Sequence, residues 1–414
     1  SPYGPWSCQS GNELTSSSSL LDYDSAGPFD SASHDVGGAH LLRFTSVADL
    51  VALALEPNAF AAQVQELWAQ GKAVLPVDLR LPLQVQQELL VAMRPAQIIS
   101  AQGTASCENP RPVKPEIALV MPTSGSTGAP KGVLHTHGGR VAAAAAPNNA
   151  TATTAADTWL SSLPLAHIGG FSVLTRAWQA DCGLEILDRF TPEAVSTSEA
   201  TMVSLVPTML TRAKTSQFRV VLLGGSSPPQ DPPENCVITY GLTESGAGVV
   251  YDGAPLDGLE LELREGQIFL RGPMLCVGYR DGTTPLDSAG WLATGDQGSL
   301  DEQGHLSVHG RAGDMIVSGG ENVWPEPIEA ALERLELVGE AAVVGESHPE
   351  WGQMVVAKIV PAQPFEIPRL PEIRRMLADE LPPWSLPRRI DIVQRLPRTP
   401  LGKLKRAQIL PKSS

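Results

Sequence analysis

Cysteine, positive charge and long apolar runs are all scarce in this chain, and each scarcity narrows what it can be. The five cysteines, Cys8, Cys107, Cys182, Cys236 and Cys276, are odd in number, widely separated and free of any Cys-x-x-Cys pair. That pattern argues against a disulfide framework and a zinc site, and for a reducing compartment, with the cytoplasm the expected location. Lys and Arg total 30 against 45 Asp and Glu, a formal charge of −15. A nucleic-acid partner needs a basic face, so none is expected. Any polyanionic small ligand must be held by a local site working against the overall field. No apolar run approaches the roughly 20 residues of a membrane-spanning helix, so no membrane span is expected. Residues 1–37 are rich in Ser, Gly and Asp and show neither the basic nor the apolar stretch of a secretory signal. They are expected to be a flexible segment, either a tail or a remnant of processing.

What is present is an α/β pattern. With 414 residues, 42% of them hydrophobic, the chain is long enough for two or three packed units. One or two amphipathic helices are expected over 48–70, a helix over 85–94, and strands at 72–77 and 96–99. Further strands are expected at 117–121, 133–135, 184–187, 202–206, 220–223 and 237–239. Tightly spaced strands with Gly turns at 260–264, 267–271 and 305–309 suggest a small β-rich subdomain. Beyond them, helices over 325–335 and 370–381 alternate with strands at 341–344, 355–360 and 390–393. The expected fold class is α/β: a large N-terminal domain over 38–310 that ends in the β-rich subdomain, then a small α+β C-terminal domain over 311–414.

The most chemically suggestive string is Thr123-Ser124-Gly125-Ser126-Thr127-Gly128-Ala129-Pro130-Lys131-Gly132. Such loops let backbone N–H groups and hydroxyls converge on phosphate oxygens, and Lys131 adds positive charge. The spacing fails the Walker A pattern. Taken alone, the string is equally a flexible surface turn.

Downstream stand, in order, Leu163-Pro-Leu-Ala-His-Ile168, Val206-Pro-Thr208, Leu223-Gly-Gly-Ser226, Tyr240-Gly-Leu-Thr-Glu244, Thr294-Gly-Asp296, Gly310-Arg-Ala-Gly-Asp314, Ser318-Gly-Gly-Glu-Asn322 and Pro397-Arg-Thr-Pro-Leu-Gly-Lys403. This ordered series resembles the adenylate-forming superfamily of acyl-CoA synthetases, peptide-synthetase adenylation domains and luciferases, from Thr123 almost to the C-terminus. The resemblance implies activation of a carboxylic acid in two half-reactions. The acid attacks the α-phosphate of ATP, giving acyl-adenylate and pyrophosphate, and the thiolate of coenzyme A then displaces AMP. ATP, Mg²⁺ and coenzyme A are the implied cofactors and co-substrates, and a homodimer is compatible with it.

By the resemblance, Thr123, Ser124, Gly125, Ser126, Thr127, Gly128 and Lys131 cradle the β- and γ-phosphates, Thr243 bonds the α-phosphate, and Glu244 binds Mg²⁺. Outside that context Thr243-Glu244 reads as a helix N-terminus. Gly225, Ser226, Tyr240 and Gly241 frame the adenine, and Asp296 and Arg311 hold the ribose. Lys403 reaches the acyl carboxylate and the α-phosphate. The C-terminal domain is then mobile: it rotates between half-reactions about a hinge at Gly313, and Ser318-Gly319-Gly320 afterwards lines the pantetheine path.

The segment from Leu163 to Arg176 resembles that of 2-succinylbenzoate–CoA ligases, which serve menaquinone and phylloquinone synthesis. Arg176 then takes a second substrate carboxylate through its bidentate fork, and His167 gates or walls the acyl pocket. Each also reads as something plainer, Arg176 as a helix-surface residue and His167 as a core residue. Ala166 precedes His167 where an aromatic is common, and the region before the phosphate loop is short. An aryl- or medium-chain acyl-CoA ligase is the alternative within the same chemistry. A peptide-synthetase module is disfavoured, since no carrier segment follows Lys403. A non-catalytic nucleotide-binding protein is disfavoured by the presence of Glu244, Asp296, Arg311 and Lys403.

Overall fold

A computed structural model describes residues 47–124, 130–225, 228–229, 231–363, 369–398 and 404–409. The first layer contains β1 (Leu50–Ala54), α1 (Pro57–Ala69), β2 (Ala73–Pro76), α2 (Leu83–Met93), β3 (Gln97–Ser100), β4 (Gly103–Ser106), β5 (Ile117–Ser124), β6 (Pro130–Thr136) and α3 (His137–Ala150). Strand β1 lies parallel to β2 and β3, β2 lies parallel to β5, and β5 and β6 form an antiparallel hairpin. The helix expected over 48–70 therefore starts only at Pro57, whose fixed φ suits a first helical position. Leu50–Ala54 is a strand instead. All five of its residues are buried, so no polar alternation marks its period.

The second layer comprises β7 (Thr158–Ser161), α4 (Ile168–Ala180), β8 (Gly183–Ile186), α5 (Pro192–Thr197), β9 (Met202–Leu205), α6 (Pro207–Leu210), β10 (Val220–Leu223), β11 (Cys236–Leu242), β12 (Ala247–Tyr251) and β13 (Ala254–Pro255). Strands β8, β7, β9, β10 and β11 run parallel side by side, and β12 returns antiparallel against β11. Helix α4 is buried along most of its length, with Phe171, Val173, Leu174 and Ala177 fully enclosed. It joins the two layers: Phe171 and Leu174 pack with the first sheet, and Val173 and Ala177 with the second.

Next come β14 (Glu260–Arg264), β15 (Gln267–Arg271), β16 (Gly278–Tyr279), β17 (Leu292–Leu300) and β18 (Leu306–Arg311). Four of these form an antiparallel sheet, while β16 leaves it to pair with β6 in the first layer. A 3₁₀ turn, Ala312–Asp314, leads into β19 (Ile316–Ser318), β20 (Glu321–Val323), α7 (Pro325–Glu333), β21 (Val338–His348), β22 (Gly352–Pro361), α8 (Leu370–Leu377) and β23 (Arg389–Ile392). These elements share their own core, including Ile316, Ile328, Leu332, Val343, Val355 and Ile373. Arg406 ties their start to their end through Asp314, Glu326 and Glu329. The class is α/β, a large N-terminal domain followed by a C-terminal one. Among the described residues no helix is long and apolar enough to cross a membrane.

Candidate active site

Strands β7, β9, β10 and β11 are neighbours and point the same way. Leu163-Pro164, Val206-Pro207 and Gly224-Gly225 follow the carboxyl ends of the first three, and Tyr240 to Leu242 end the fourth, with Thr243 and Glu244 just beyond it. Ligands of open parallel sheets sit outside these ends, so topology gathers segments far apart in sequence along one edge. Gly225 has φ +89°, a conformation that suits glycine. At Gly241 a Cβ would collide with the Ala247 carbonyl, so only glycine fits the bulged β11–β12 pairing. Thr243 and Glu244 occupy the turn of this hairpin, not a helix N-terminus, and Gly246 N–H donates to the Thr243 carbonyl at 3.0 Å.

One edge of the site is a hydrogen-bonded trio. Asp296 on β17 lies opposite Arg311 on β18. The Tyr240 hydroxyl donates to Asp296 Oδ2 at 2.7 Å, and Arg311 Nε lies 2.8 Å from Oδ1. Arg311 Nη1 also donates to the Thr294 carbonyl at 2.9 Å. Asp296 is 8% exposed. Burial, and next the charge of Asp296, push the Tyr240 hydroxyl well above its ordinary value, so it remains a donor at neutral pH. A buried carboxylate held by two donors, beside a flat ring and a glycine turn, suits a nucleoside with vicinal hydroxyls.

A second group lies around β6. Thr123 pairs with Lys131, and Ser124 with Pro130, across the β5–β6 hairpin. Lys131 Nζ sits 5.0 Å from the centroid of the Tyr279 ring, and the Tyr279 hydroxyl donates to Glu244 Oε1 at 2.9 Å. Behind the Thr243–Gly246 turn, Arg140 donates from both terminal nitrogens to the Gly246 carbonyl at 3.1 Å each. Burial lowers its guanidinium to about 10, still charged at neutral pH. Among the described residues no cluster of three or more His, Cys, Asp or Glu could hold a metal by itself. A single carboxylate near a hairpin that carries a lysine does fit Mg²⁺, which commonly takes one or two carboxylates and completes its shell with phosphate and water.

On the other side of α4's N-terminus, His167 is the N-cap residue, and its Nε2 lies 3.2 Å from Asp78 Oδ2. Asp78 follows β2 and takes a two-point contact from Arg80, at 2.8 and 2.6 Å. Burial opposes its ionisation, but the bonds from Arg80 and His167 outweigh that and hold it well below the ordinary carboxylate range. Arg176, nine residues on and so on the opposite face of α4 at 3.6 residues per turn, is 4% exposed and not a surface residue. Its Nε donates to the Ser172 carbonyl at 3.2 Å, and its Nη2 donates to the hydroxyls of Ser172 and Ser204 at 3.0 Å. The guanidinium lies 4.5 Å from the Trp159 ring centroid. No carboxylate lies within ion-pair distance of it among the described residues.

Residues 40–323 match the family described as AMP-binding enzyme, and residues 327–403 match the AMP-binding enzyme C-terminal domain. The chain belongs to the AMP-binding enzyme family. It is 35% identical over 326 residues to a probable 2-succinylbenzoate–CoA ligase of Mycobacterium tuberculosis, covering 71% of this chain and 84% of that one. A 2-succinylbenzoate–CoA ligase of Enterococcus faecalis is 30% identical over 332 residues, covering 70% and 68%. Its fold is similar to that of o-succinylbenzoate CoA synthetase from Bacillus subtilis bound to the acyl-adenylate OSB-AMP. There the TM-score is 0.77 with 26% identity, over 88% of each chain. The same enzyme bound to ATP and magnesium gives a TM-score of 0.76, also at 26% identity, over 87% and 89%.

In this AMP-binding enzyme, Gly125, Ser126, Thr127, Gly128, Ser226 and Lys403 lie outside the described residues, as do residues 1–37 and the side chain of Ser124. Gly313 sits in the 3₁₀ turn before β19, where an added Cβ would meet nothing within 4 Å. Gly319 and Gly320 form the β19–β20 turn with φ of +63° and +89°; a Cβ on Gly319 would strike the Trp351 ring, whereas Gly320 faces open space. Sequence reasoning missed Asp78, Arg80, Arg140 and Tyr279. The position of Asp78 just past the buried β2 strand was the one usable signal. Arg80 follows Asp78 by two residues, whereas Arg140 and Tyr279 carry no motif and reach the site only through the fold.

Proposed function

We propose that the chain is an AMP-forming acid–CoA ligase acting on 2-succinylbenzoate, within menaquinone or phylloquinone synthesis. One observation carries the reading: the Tyr240–Asp296–Arg311 trio and the Lys131–Tyr279–Glu244 group flank the same strand ends, giving nucleoside and phosphate adjoining places. ATP binds with its ribose hydroxyls donating to Asp296 and its phosphates at the β5–β6 hairpin. Bound to Glu244 and phosphate oxygens, Mg²⁺ would offset the negative charge that builds up on the pyrophosphate.

A substrate carboxylate oxygen then attacks the α-phosphorus, the bond to the β-phosphate oxygen breaks, and pyrophosphate leaves. Lys131 and Thr243 hold phosphate oxygens, and Lys403 holds the attacking carboxylate against the α-phosphate. Rotation about Gly313 withdraws Lys403 and brings Gly319-Gly320 to the opening, where the coenzyme A thiolate attacks the acyl carbon and AMP leaves. Positioning and electrostatics supply the rate, since no covalent enzyme intermediate is needed.

Arg176 supports a dicarboxylic acid. Buried cations are ordinarily paired, yet Arg176 has only neutral partners among the described residues. Its guanidinium reaches back to the level of Ser172, about 7.5 Å along the α4 axis from His167 at a rise of 1.5 Å per residue. A second substrate carboxylate reaching the guanidinium beside Ser172 and Ser204 would supply the partner it lacks. Cytoplasmic location accords with the free state of Cys107, Cys182, Cys236 and Cys276. The test is incubation with ATP, Mg²⁺, coenzyme A and a panel of acids. Equal amounts of AMP, pyrophosphate and 2-succinylbenzoyl-CoA are expected. Preferential turnover of a monocarboxylic aryl or medium-chain acid would replace the substrate, and no pyrophosphate with any acid would refute the ligase.

A further inference from the structure

Strand β16 is only two residues long, yet it holds together the two charged groups that the proposed chemistry needs. Gly278 and Tyr279 pair with Leu134 and Val133 of β6, two positions beyond Lys131. The bonds continue on both sides: Val277 N–H donates to the Leu134 carbonyl at 3.0 Å and Arg280 N–H to the Gly132 carbonyl at 2.7 Å. Cys276 N–H donates to the Glu244 carbonyl at 2.7 Å, which fastens the same strap to the β11–β12 turn. The Arg280 side chain, 5% exposed, anchors the far end on the carbonyls of Met93 and Pro112 at 3.1 and 2.9 Å. Tyr279 is thus presented by backbone bonded on each side, the kind of support that fixes a side chain to within a fraction of an ångström.

Its side chain meets both charges at once. The hydroxyl donates to Glu244 Oε1 at 2.9 Å, and the Lys131 ammonium rests 5.0 Å from the ring centroid. Carboxylate and ammonium thus share one aromatic neighbour, and a direct salt bridge between them would occupy both. Among the described residues neither has an ion-pair partner within 4.0 Å. The phenol stands between them, taking one lone pair of Oε1 and offering its π-face to the cation.

We infer that Tyr279 is a positioning residue that keeps Glu244 and Lys131 apart and aimed, so that the divalent cation and the triphosphate each find a free partner. This rests on the ligase reading above, and it assigns Tyr279 to the adenylation half-reaction alone. Thiolysis follows the departure of pyrophosphate and needs neither group.

The experiment compares wild type with Tyr279→Phe and Tyr279→Leu. Binding of Mn²⁺ together with a non-hydrolysable ATP analogue is followed by electron paramagnetic resonance, and AMP binding without metal by calorimetry. The phenylalanine variant should bind the Mn²⁺–nucleotide pair roughly 10-fold more weakly, the loss of one hydrogen bond to a charged group. Its AMP affinity and melting temperature should match wild type. The leucine variant, lacking the ring, should lose roughly a further 3-fold toward the triphosphate. Both should slow pyrophosphate release while converting supplied acyl-adenylate to thioester at the wild-type rate. Wild-type metal–nucleotide affinity in Tyr279→Phe would overturn the inference, as would parallel loss of AMP binding, thiolysis and melting temperature. If wild type itself binds no metal–nucleotide pair, the ligase reading fails and the inference falls with it.

Discussion

Replacing Arg176 by methionine separates fold from function more sharply than any other change. In the free protein the guanidinium is enclosed, with three hydrogen bonds to the Ser172 carbonyl and the Ser172 and Ser204 hydroxyls, and it packs on Trp159. Burial depresses its pKa, a sign that the cation is held at some cost, although Tyr251 opposes the shift. Methionine fills much of the same space with no charge to desolvate. Replacing even a buried ion pair by packed apolar residues is often neutral or stabilising, and a lone buried cation lacks the partner that offsets its desolvation. Two hydroxyls lose a donor, but they rotate and accept elsewhere at about 1 kcal/mol each. The melting temperature of Arg176→Met should therefore equal or exceed that of wild type. A substrate carboxylate entering that site would face no cation, and truncating one partner of a buried charge pair costs roughly 2–5 kcal/mol. The loss in kcat/KM for 2-succinylbenzoate should accordingly be about 30-fold to several thousand-fold at 1.4 kcal/mol per decade, while a monocarboxylate analogue should be turned over as by wild type. The assay is steady-state pyrophosphate release beside calorimetric melting. Equal loss with both acids, or a fall in melting temperature with unchanged selectivity, would refute the substrate role of Arg176.

Asp78→Asn should destabilise the protein at neutral pH by about 1.5–3 kcal/mol, the worth of hydrogen bonds to a charged group. The folded state depresses the Asp78 carboxyl below its unfolded value of about 3.9, so its contribution is complete above that pH and is lost as the pH falls through and below it. The variant's acid unfolding should consequently be less steep below pH 4 in a urea series run at several pH values; an unchanged slope would deny the Arg80–Asp78–His167 chain its role. Asp296→Ala should raise KM for ATP roughly 10- to 100-fold through lost charged hydrogen bonds, with a smaller change in KM for the acid, read from initial rates. Lys403→Ala should abolish adenylate formation but largely spare thioester formation from supplied acyl-adenylate, and equal loss in both half-reactions would remove its assigned role.

Local pattern made some elements legible to the residue. Val220–Leu223, Glu260–Arg264 and Gln267–Arg271 match the structure because Gly or polar turns bound them on both sides. Leu50–Ala54 was misread because burial on both faces erases the alternation that separates a strand from a helix. Strand β16 could not be read at all: two residues carry no period, and only their pairing with β6, far back in the chain, makes them a strand. The site divides the same way. Tyr240, Asp296, Arg311, Lys131 and Glu244 were named from local motifs, and the fold brings them to one edge. Asp78, Arg140 and Tyr279 act through partners 89, 106 and 35 residues away, a relation set by sheet order that no local motif records. For Arg176 the sequence allows a buried or half-buried cation or a helix-surface residue, and its enclosure comes from the α4 packing that joins both layers.

In the proposed reaction the acid is activated by attack on the α-phosphate of ATP. Turnover of 2-succinylbenzoate labelled with ¹⁸O in its carboxylates, in the presence of ATP, Mg²⁺ and coenzyme A, tests that directly. The attacking oxygen remains on phosphorus when the thiolate displaces AMP, so the AMP should carry one ¹⁸O and the pyrophosphate none. Label appearing in inorganic phosphate with ADP as product, or AMP formed without label, would contradict it.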